Sequence, residues 1–386
     1  MLYLLLYPLH EKYPWLRFLR VLQYPSFRIT AAFATALALG LAIGPRLIRH
    51  LRLRQKGIAN TREYSPDEEN ERKKATPTLG GLLILFALTI STLLFADLRV
   101  KYVWASLVVT LGYGFTGWLD DYLKISQRSS KGLAGRYKLL LQTLFLAVAL
   151  YAFFFDASRA SHAWLSINTD LTLPFVPTRV FEVDLGWLYV PLAYLIVVGT
   201  SNAVNLTDGL DGLAAGPVAV SAGLFTFLAY VAGVTIRGFN IAAYLNIPPV
   251  EGAQELAIFG AAVAGAVVAF LWFNAYPAEV FMGDVGALAL GGALGILAIF
   301  TKNEVVSAIV NGVFLTEILS VMVQVPYFKV TKRLNGGQGK RLFLMTPIHH
   351  HFQKLSPPWP ESKIVVRFWI VSVMLAIVGV ASLKLR

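Results

Sequence analysis

Apolar residues in this chain gather into long uncharged runs, such as Ile29–Gly44, Leu79–Ala96, Leu213–Gly233 and Ile364–Leu383. Each run holds roughly 15 to 25 residues, and a helix rising about 1.5 Å per residue then spans a hydrocarbon core about 30 Å thick. Ten spans are predicted on this basis, over 28–46, 78–96, 101–118, 139–155, 187–204, 213–233, 254–273, 285–300, 305–327 and 364–383. The pattern therefore predicts an all-α polytopic membrane protein with ten transmembrane helices. It reads as a single integral membrane domain over 1–386, with the bundle over 28–383. Met1–Phe27 alternates apolar and charged residues and contains Pro8, Pro14 and Pro25, so it reads as interfacial, without the apolar run and cleavage site of a signal peptide.

Composition agrees: of 386 residues, 56% are hydrophobic and only 15% charged, against about 25% charged in soluble domains. The absence of cysteine excludes a disulfide framework, a thiol nucleophile and thiolate-held zinc or iron–sulfur centres. Basic residues orient the bundle. Connections 46–77, 119–138 and 328–363 carry 9, 5 and 7 Lys+Arg, and 205–212 and 274–284 carry none. By the positive-inside rule this side is cytoplasmic and both termini are periplasmic. The net charge of +12 then reads as a topology signal and as attraction to anionic headgroups. No zinc-finger or aromatic-interleaved pattern points to nucleic acid.

Two outlying segments are structural in expectation. Asn60–Lys74 is a charge-rich cytoplasmic loop, and Thr172, Thr178 and Val183 alternate in a way that predicts a small periplasmic β-hairpin within Asp156–Gly186.

Four of the five predicted cytoplasmic loops bring polar residues to one membrane level. Asp120 and Asp121 close the third span, where the helix dipole disfavours two carboxylates. Either a cation relieves them, or Lys124 and Arg128 balance a solvated pair. Asp208 and Asp211, three apart around the start of the sixth span, read as caps or as ligands of a phosphate or a base edge, and Asn205 beside them exceeds what a cap needs. Asp284 opens the eighth span, and a metal shared with Asp120 or Asp121 would offset its desolvation. Hard oxygen ligands without cysteine suit Mg²⁺ or Mn²⁺. His349, His350 and His351 cannot share one helical face, which suits a loop binding phosphate, coordinating metal or orienting a carboxylate. Glu317, near the middle of the ninth span, is expected to be protonated or hydrogen-bonded inside the bundle, with a groove-lining role as the alternative.

Asp120-Asp121 with Tyr122 and Lys124, NAVNLTDGLDGLA at 202–214, NAYPAEVFMGD at 274–284 and PIHHHF at 347–352 occur in this order. Together they resemble the phospho-N-acetylmuramoyl-pentapeptide transferase (MraY) family, within the polyprenyl-phosphate N-acetylhexosamine-1-phosphate transferases. The likeness runs from KKATPTLGG at 73–81 to KIVVRFWI at 363–370. It implies a Mg²⁺-dependent homodimer in the bacterial inner membrane with its active site facing the cytoplasm. The donor would be UDP-MurNAc-pentapeptide and the acceptor undecaprenyl phosphate; UMP would leave and lipid I would form. Carried onto this sequence, the resemblance makes Asp120, Asp121 and Asp284 catalytic, with Asp284 as the Mg²⁺ ligand and Asp121 favoured as acceptor of the lipid phosphate proton. Gly209, Leu210, Asp211 and a stacking Phe281 correspond to a uracil pocket, with Lys74 nearby. Asn205, Asp208 and Asn274 follow the sugar–phosphate path, His349 and His350 lie near the diphosphate, and His351, Lys124 and Lys138 are further substrate-binding positions. The ninth helix, with Glu317 and Pro326, would kink to form a groove for the acyl chain. A GlcNAc-1-phosphate transferase would share the acidic clusters, and the histidine run favours the muramoyl branch. An ion-coupled transporter would place its charges at the midplane, where only Glu317 falls.

Overall fold

The structure is a computed structural model that describes residues 1–55, 76–127, 132–154, 169–176, 182–236, 238–245 and 247–384. Its long helices are α1 (Pro25–Arg54), α2 (Gly81–Phe95), α3 (Lys101–Ser126), α4 (Gly135–Phe154), α5 (Tyr189–Thr207), α6 (Ala215–Gly233), α7 (Ala253–Asn274), α8 (Gly283–Phe300), α9 (Gly312–Leu334) and α10 (Glu361–Lys384). Among the described residues, seven helices are long and apolar enough to cross a membrane, namely α1, α5 with the turn before it, and α6 to α10; α2 is a shorter apolar helix. The chain is thus a mostly helical, multi-pass membrane protein.

Burial sorts these helices into layers. The apolar windows of α7 and α8 are 83% and 89% buried, whereas those of α9 and α10 are 28% and 22% buried. The central position of α8 follows from its sequence, GDVGALALGGALGILAIF. Between helices in lipid, small residues let backbones approach, and dispersion then does the work that hydrophobic exclusion does in water. A Cβ on Gly291 would overlap the backbone of Thr200 and Ser201 on α5, and one on Gly292 would overlap the Tyr113 ring on α3. Side-chain hydrogen bonds add to this packing: Gln142 on α4 donates to Ser201 Oγ (2.9 Å), which donates to the Leu288 carbonyl on α8 (2.8 Å).

Several expectations are revised. The ninth predicted span is divided into Glu304–Val310 and α9, separated at Asn311, and α9 then runs through Pro326 as one helix to Leu334. The predicted hairpin is present as β1 (Asp170–Thr172) paired antiparallel with β2 (Glu182–Asp184), with Leu171 opposite Val183; Thr178 lies outside the described residues. A second pair, β3 (Thr235–Ile236) and β4 (Phe239–Asn240), was not expected. Residues 1–23 form short helical pieces, Leu2–Leu6, Leu9–Lys12 and the 3-10 turn Pro14–Gln23, with Trp15 and Phe18 exposed. The apolar pattern also hides buried ion pairs. Arg28 on α1 binds Glu255 on α7 through two bonds of 2.8 and 2.7 Å, and Glu255 also accepts the Asp97 backbone N–H (2.7 Å).

Candidate active site

The acids at the inner end of α3 and the first turn of α8 meet because the two backbones touch. At Gly117 a Cβ would fall on the Asp284 carbonyl, so a side chain there would push α3 off α8. Gly283 has φ +74°, in the left-handed region, and a Cβ on it would press on Asp121 Oδ2 and Thr78 Oγ1. With these two glycines in place, Asp120, Asp121 and Asp284 each offer an oxygen within 4.8 Å of the others. Asp120 and Asp121 are buried. Asp120 Oδ1 accepts the Leu133 N–H (2.5 Å), and Asp121 Oδ2 accepts the Val285 N–H on α8 (3.2 Å).

Two lysines hold the carboxylates together. Lys124 Nζ lies 2.5 Å from Asp120 Oδ2 and 3.1 Å from Asp284 Oδ2. Lys138 Nζ lies 3.0 Å from Asp120 Oδ2 and 2.7 Å from Asp284 Oδ2. Of the two partners expected for the pair, Lys124 is in place and Arg128 lies outside the described residues. Among the described residues, three carboxyl groups face two ammonium groups in a mostly desolvated setting. A buried charge without compensation costs several kcal/mol, which makes this cluster a place that favours a further cation.

The turn after α5 is braced to its neighbours. Gly212 N–H donates to Asn274 Oδ1 (3.1 Å), and Asn274 Nδ2 donates to the Val280 carbonyl (2.9 Å). Asp211 Oδ2 accepts the Ala278 N–H (3.1 Å), while the Asp211 N–H donates to Glu361 Oε1 at the start of α10 (2.7 Å). Asp211 and Asn274 therefore act first as cross-links between two connections. Leu210 is buried with Leu213, Ile364 and Val365 and so packs toward α10 rather than lining an open pocket. Phe281 is only 5% exposed, its N–H donating to the Pro77 carbonyl and its own carbonyl accepting from Gly80. A base could stack on that ring only after its neighbours move. The acids do not cap α6 either: Asp208 stands at the C-terminal end of α5, and α6 begins later, at Ala215, without a side-chain cap. Asn205 and Gly209 are half-buried beside it. Lys74 lies outside the described residues.

The histidine run forms a short helix, Ile348–Gln353, in place of the expected loop, and its members part as a helix requires. His349 is fully buried, with Nδ1 3.1 Å from Glu317 Oε2. The His350 ring centroid lies 4.1 Å from that of His349, and its Nδ1 is 2.7 Å from Gln353 Oε1. His351 Nδ1 accepts the Leu344 N–H (3.2 Å). His349 faces the turn after α5, where a Cβ on Gly209 would run into its Nε2.

Residues 103–302 match the model of glycosyl transferase family 4. A phospho-N-acetylmuramoyl-pentapeptide-transferase of Anaeromyxobacter sp. (strain K) is 55% identical over 393 residues, covering 100% of both chains. Proteins of the same name from Myxococcus xanthus and Sorangium cellulosum are 54% and 50% identical, covering 96% and 100% of both chains. This chain belongs to the phospho-N-acetylmuramoyl-pentapeptide-transferase family.

For a member of the phospho-N-acetylmuramoyl-pentapeptide-transferase family, the acidic cluster is well suited to a metal ion. Its donors are all carboxylate oxygens, they come from two helices, and they carry excess negative charge. Glu361 is the residue here that sequence reading missed. It opens the last span after Pro360, and an acid at a helix start was the available signal.

Proposed function

We propose that this chain transfers phospho-MurNAc-pentapeptide from UDP-MurNAc-pentapeptide to undecaprenyl phosphate, releasing UMP and forming lipid I, the first membrane step of peptidoglycan synthesis. The observation that carries this reading is the convergence of Asp120, Asp121 and Asp284 within 4.8 Å in a chain of this family. An oxygen of the lipid phosphate forms a bond to the sugar-bearing phosphorus of the donor, and the bond from that phosphorus to the UMP oxygen breaks. Such transfers ask the protein chiefly for alignment and charge neutralisation.

We assign Mg²⁺ to the carboxylate cluster, with Asp284 as a direct ligand and Asp120 and Asp121 beside it. Held by these carboxylates, the ion would supply charge neutralisation for the diphosphate and for departing UMP. Asp121 takes the proton of the lipid phosphate. Lys124 and Lys138 carry the positive charge that meets the phosphates, and His349, His350 and His351 line the diphosphate side. Gly209, Leu210, Asp211 and Phe281 form the uracil pocket, Asn205, Asp208 and Asn274 follow the sugar–phosphate path, and Lys74 is a further substrate-binding residue. We further propose that all ten predicted spans cross the bacterial inner membrane as one domain, with both termini periplasmic, the site at the cytoplasmic face and the protein a homodimer. The basic residues of the three charged connections support the orientation.

The test measures UMP release in the presence of undecaprenyl phosphate and Mg²⁺, with UDP-MurNAc-pentapeptide and UDP-GlcNAc as alternative donors. Turnover with the muramoyl donor is expected. Turnover of UDP-GlcNAc alone would assign the chain to the sister branch, and solute uptake into proteoliposomes without UMP release would make it a transporter.

A further inference from the structure

Glu317 is a buried charge with no role in the chemistry above. It sits early in α9, and its side chain is sealed from solvent, as is that of His349. Glu317 Oε2 lies 3.1 Å from His349 Nδ1 and accepts the His349 backbone N–H at 3.5 Å, so one carboxylate oxygen engages both the ring and the main chain of one residue. Glu317 Oε1 and both ring nitrogens of His349 are buried without an aligned hydrogen bond, so the 3.1 Å approach of Nδ1 to Glu317 Oε2 is a close electrostatic contact. On its other side the imidazole abuts Gly209, where a Cβ would collide with Nε2. His349 therefore joins α9 to the turn after α5. A buried polar atom left unsatisfied costs about 1–3 kcal/mol, so an orphaned ring nitrogen beside a half-buried glycine is explained if a ligand supplies its partner.

We propose that Glu317 is a positioning residue for donor binding: its carboxylate holds the His349 imidazole by Nδ1 and keeps Nε2 beside Gly209, ready to meet a phosphate oxygen of the nucleotide donor. A carboxylate on one ring nitrogen fixes the orientation and tautomer of an imidazole and thereby what the other nitrogen offers. The inference rests on the transferase reading. It also gives a reason for a carboxylate at membrane depth, where an ionisable group is costly and is retained for function.

The experiment measures steady-state UMP release by purified, full-length variants. Glu317→Leu is expected to raise the KM for the nucleotide donor about tenfold and to leave the KM for polyprenyl phosphate unchanged. His349→Leu is expected to match it, and the double variant to be no worse than either single one, because the two side chains act as a unit. Glu317→Gln keeps the shape and one acceptor oxygen, so its donor KM rises about threefold. A merely structural role would reduce the active fraction, lowering kcat with both KM values unchanged. An unchanged donor KM in Glu317→Leu, or effects that multiply in the double variant, would overturn the inference. Should Glu317→Leu not fold, an unchanged donor KM in Glu317→Gln overturns it alone. A wild-type chain that releases no UMP refutes the transferase reading instead, which keeps the two failures apart.

Discussion

At the first turn of α8 two lysines face three carboxylates; just beyond its last residue one lysine faces one carboxylate. Lys302 Nζ is 2.8 Å from Glu304 Oε1 and lies 4.3 Å from the centroid of the Tyr189 ring, whose hydroxyl donates to the same oxygen (2.5 Å). Those two charged side chains are 5% and 1% exposed, whereas Lys124 is 35% exposed and Asp284 16%. Both ends agree with the helix dipole, which favours an acid at the N-terminus and a base at the C-terminus. The difference lies in balance and access. The Lys302–Glu304 end is neutral and closed, which suits a structural tie. At the Asp284 end carboxyl groups outnumber ammonium groups among the described residues and the cluster is partly open, which suits a ligand that brings positive charge with it. Burial of charge alone would not have told the two apart.

The largest expected effect tests the open end. Asp284→Asn removes the charge shared by both lysines and the proposed direct Mg²⁺ ligand, and UMP release should fall by at least about a thousandfold, on the order of 4 kcal/mol of barrier. The thermal transition should persist, because Asp120 still binds both lysines. Asp121→Asn should do the same. Activity close to wild type in either variant would remove that residue from the site. At the closed end the outcome reverses. Glu304→Ala leaves Lys302 buried without its carboxylate and should cost about 3–5 kcal/mol of stability. Turnover per folded molecule should be unchanged, as read by activity normalised to a denaturation curve. A variant of normal stability and lowered turnover would merge the two ends into one functional system.

The same contrast shows what was legible in the sequence. A helix covers most of every predicted span, because bilayer thickness imposes a length that composition reveals directly. Asp120 and Lys124 were legible as an i, i+4 pair. Lys138 and Asp284 pair across 146 positions, and Arg28 and Glu255 across 227; no local rule predicts such partners. Asp211, Asn274 and Phe281 lie at connections between helices, as their sequence positions indicated, yet their present contacts are with backbone and packing neighbours. Residue type signals that a polar group needs a partner, but does not say whether protein or ligand provides it. The separation of the three histidines followed from helical geometry, whereas the depth of His349 depended on Glu317, distant in sequence and buried in α9.

The smallest expected effect concerns an ion pair that resembles the others only in its distances. Arg99 binds Asp97 with Nε to Oδ1 at 3.0 Å and Nη2 to Oδ2 at 2.6 Å, between α2 and α3 and outside the predicted spans. The hydrogen bonds from Arg99 hold the Asp97 carboxyl below the usual carboxylate range. A carboxyl depressed in the folded state contributes stability above its unfolded pKa of about 3.9 and loses it as pH falls through the lower folded value. The contribution should therefore be complete at neutral pH and vanish only in acid. Because the Arg99 side chain is 70% exposed, water and salt screen the pair. Arg99→Ala should cause only a small loss of thermal stability at neutral pH, and the difference from wild type should fade as pH falls and Asp97 becomes protonated in both. A large loss at neutral pH would mean that the Asp97 backbone, which donates to Glu255, depends on this exposed pair for its position, tying the surface arginine to the buried Arg28–Glu255 bond.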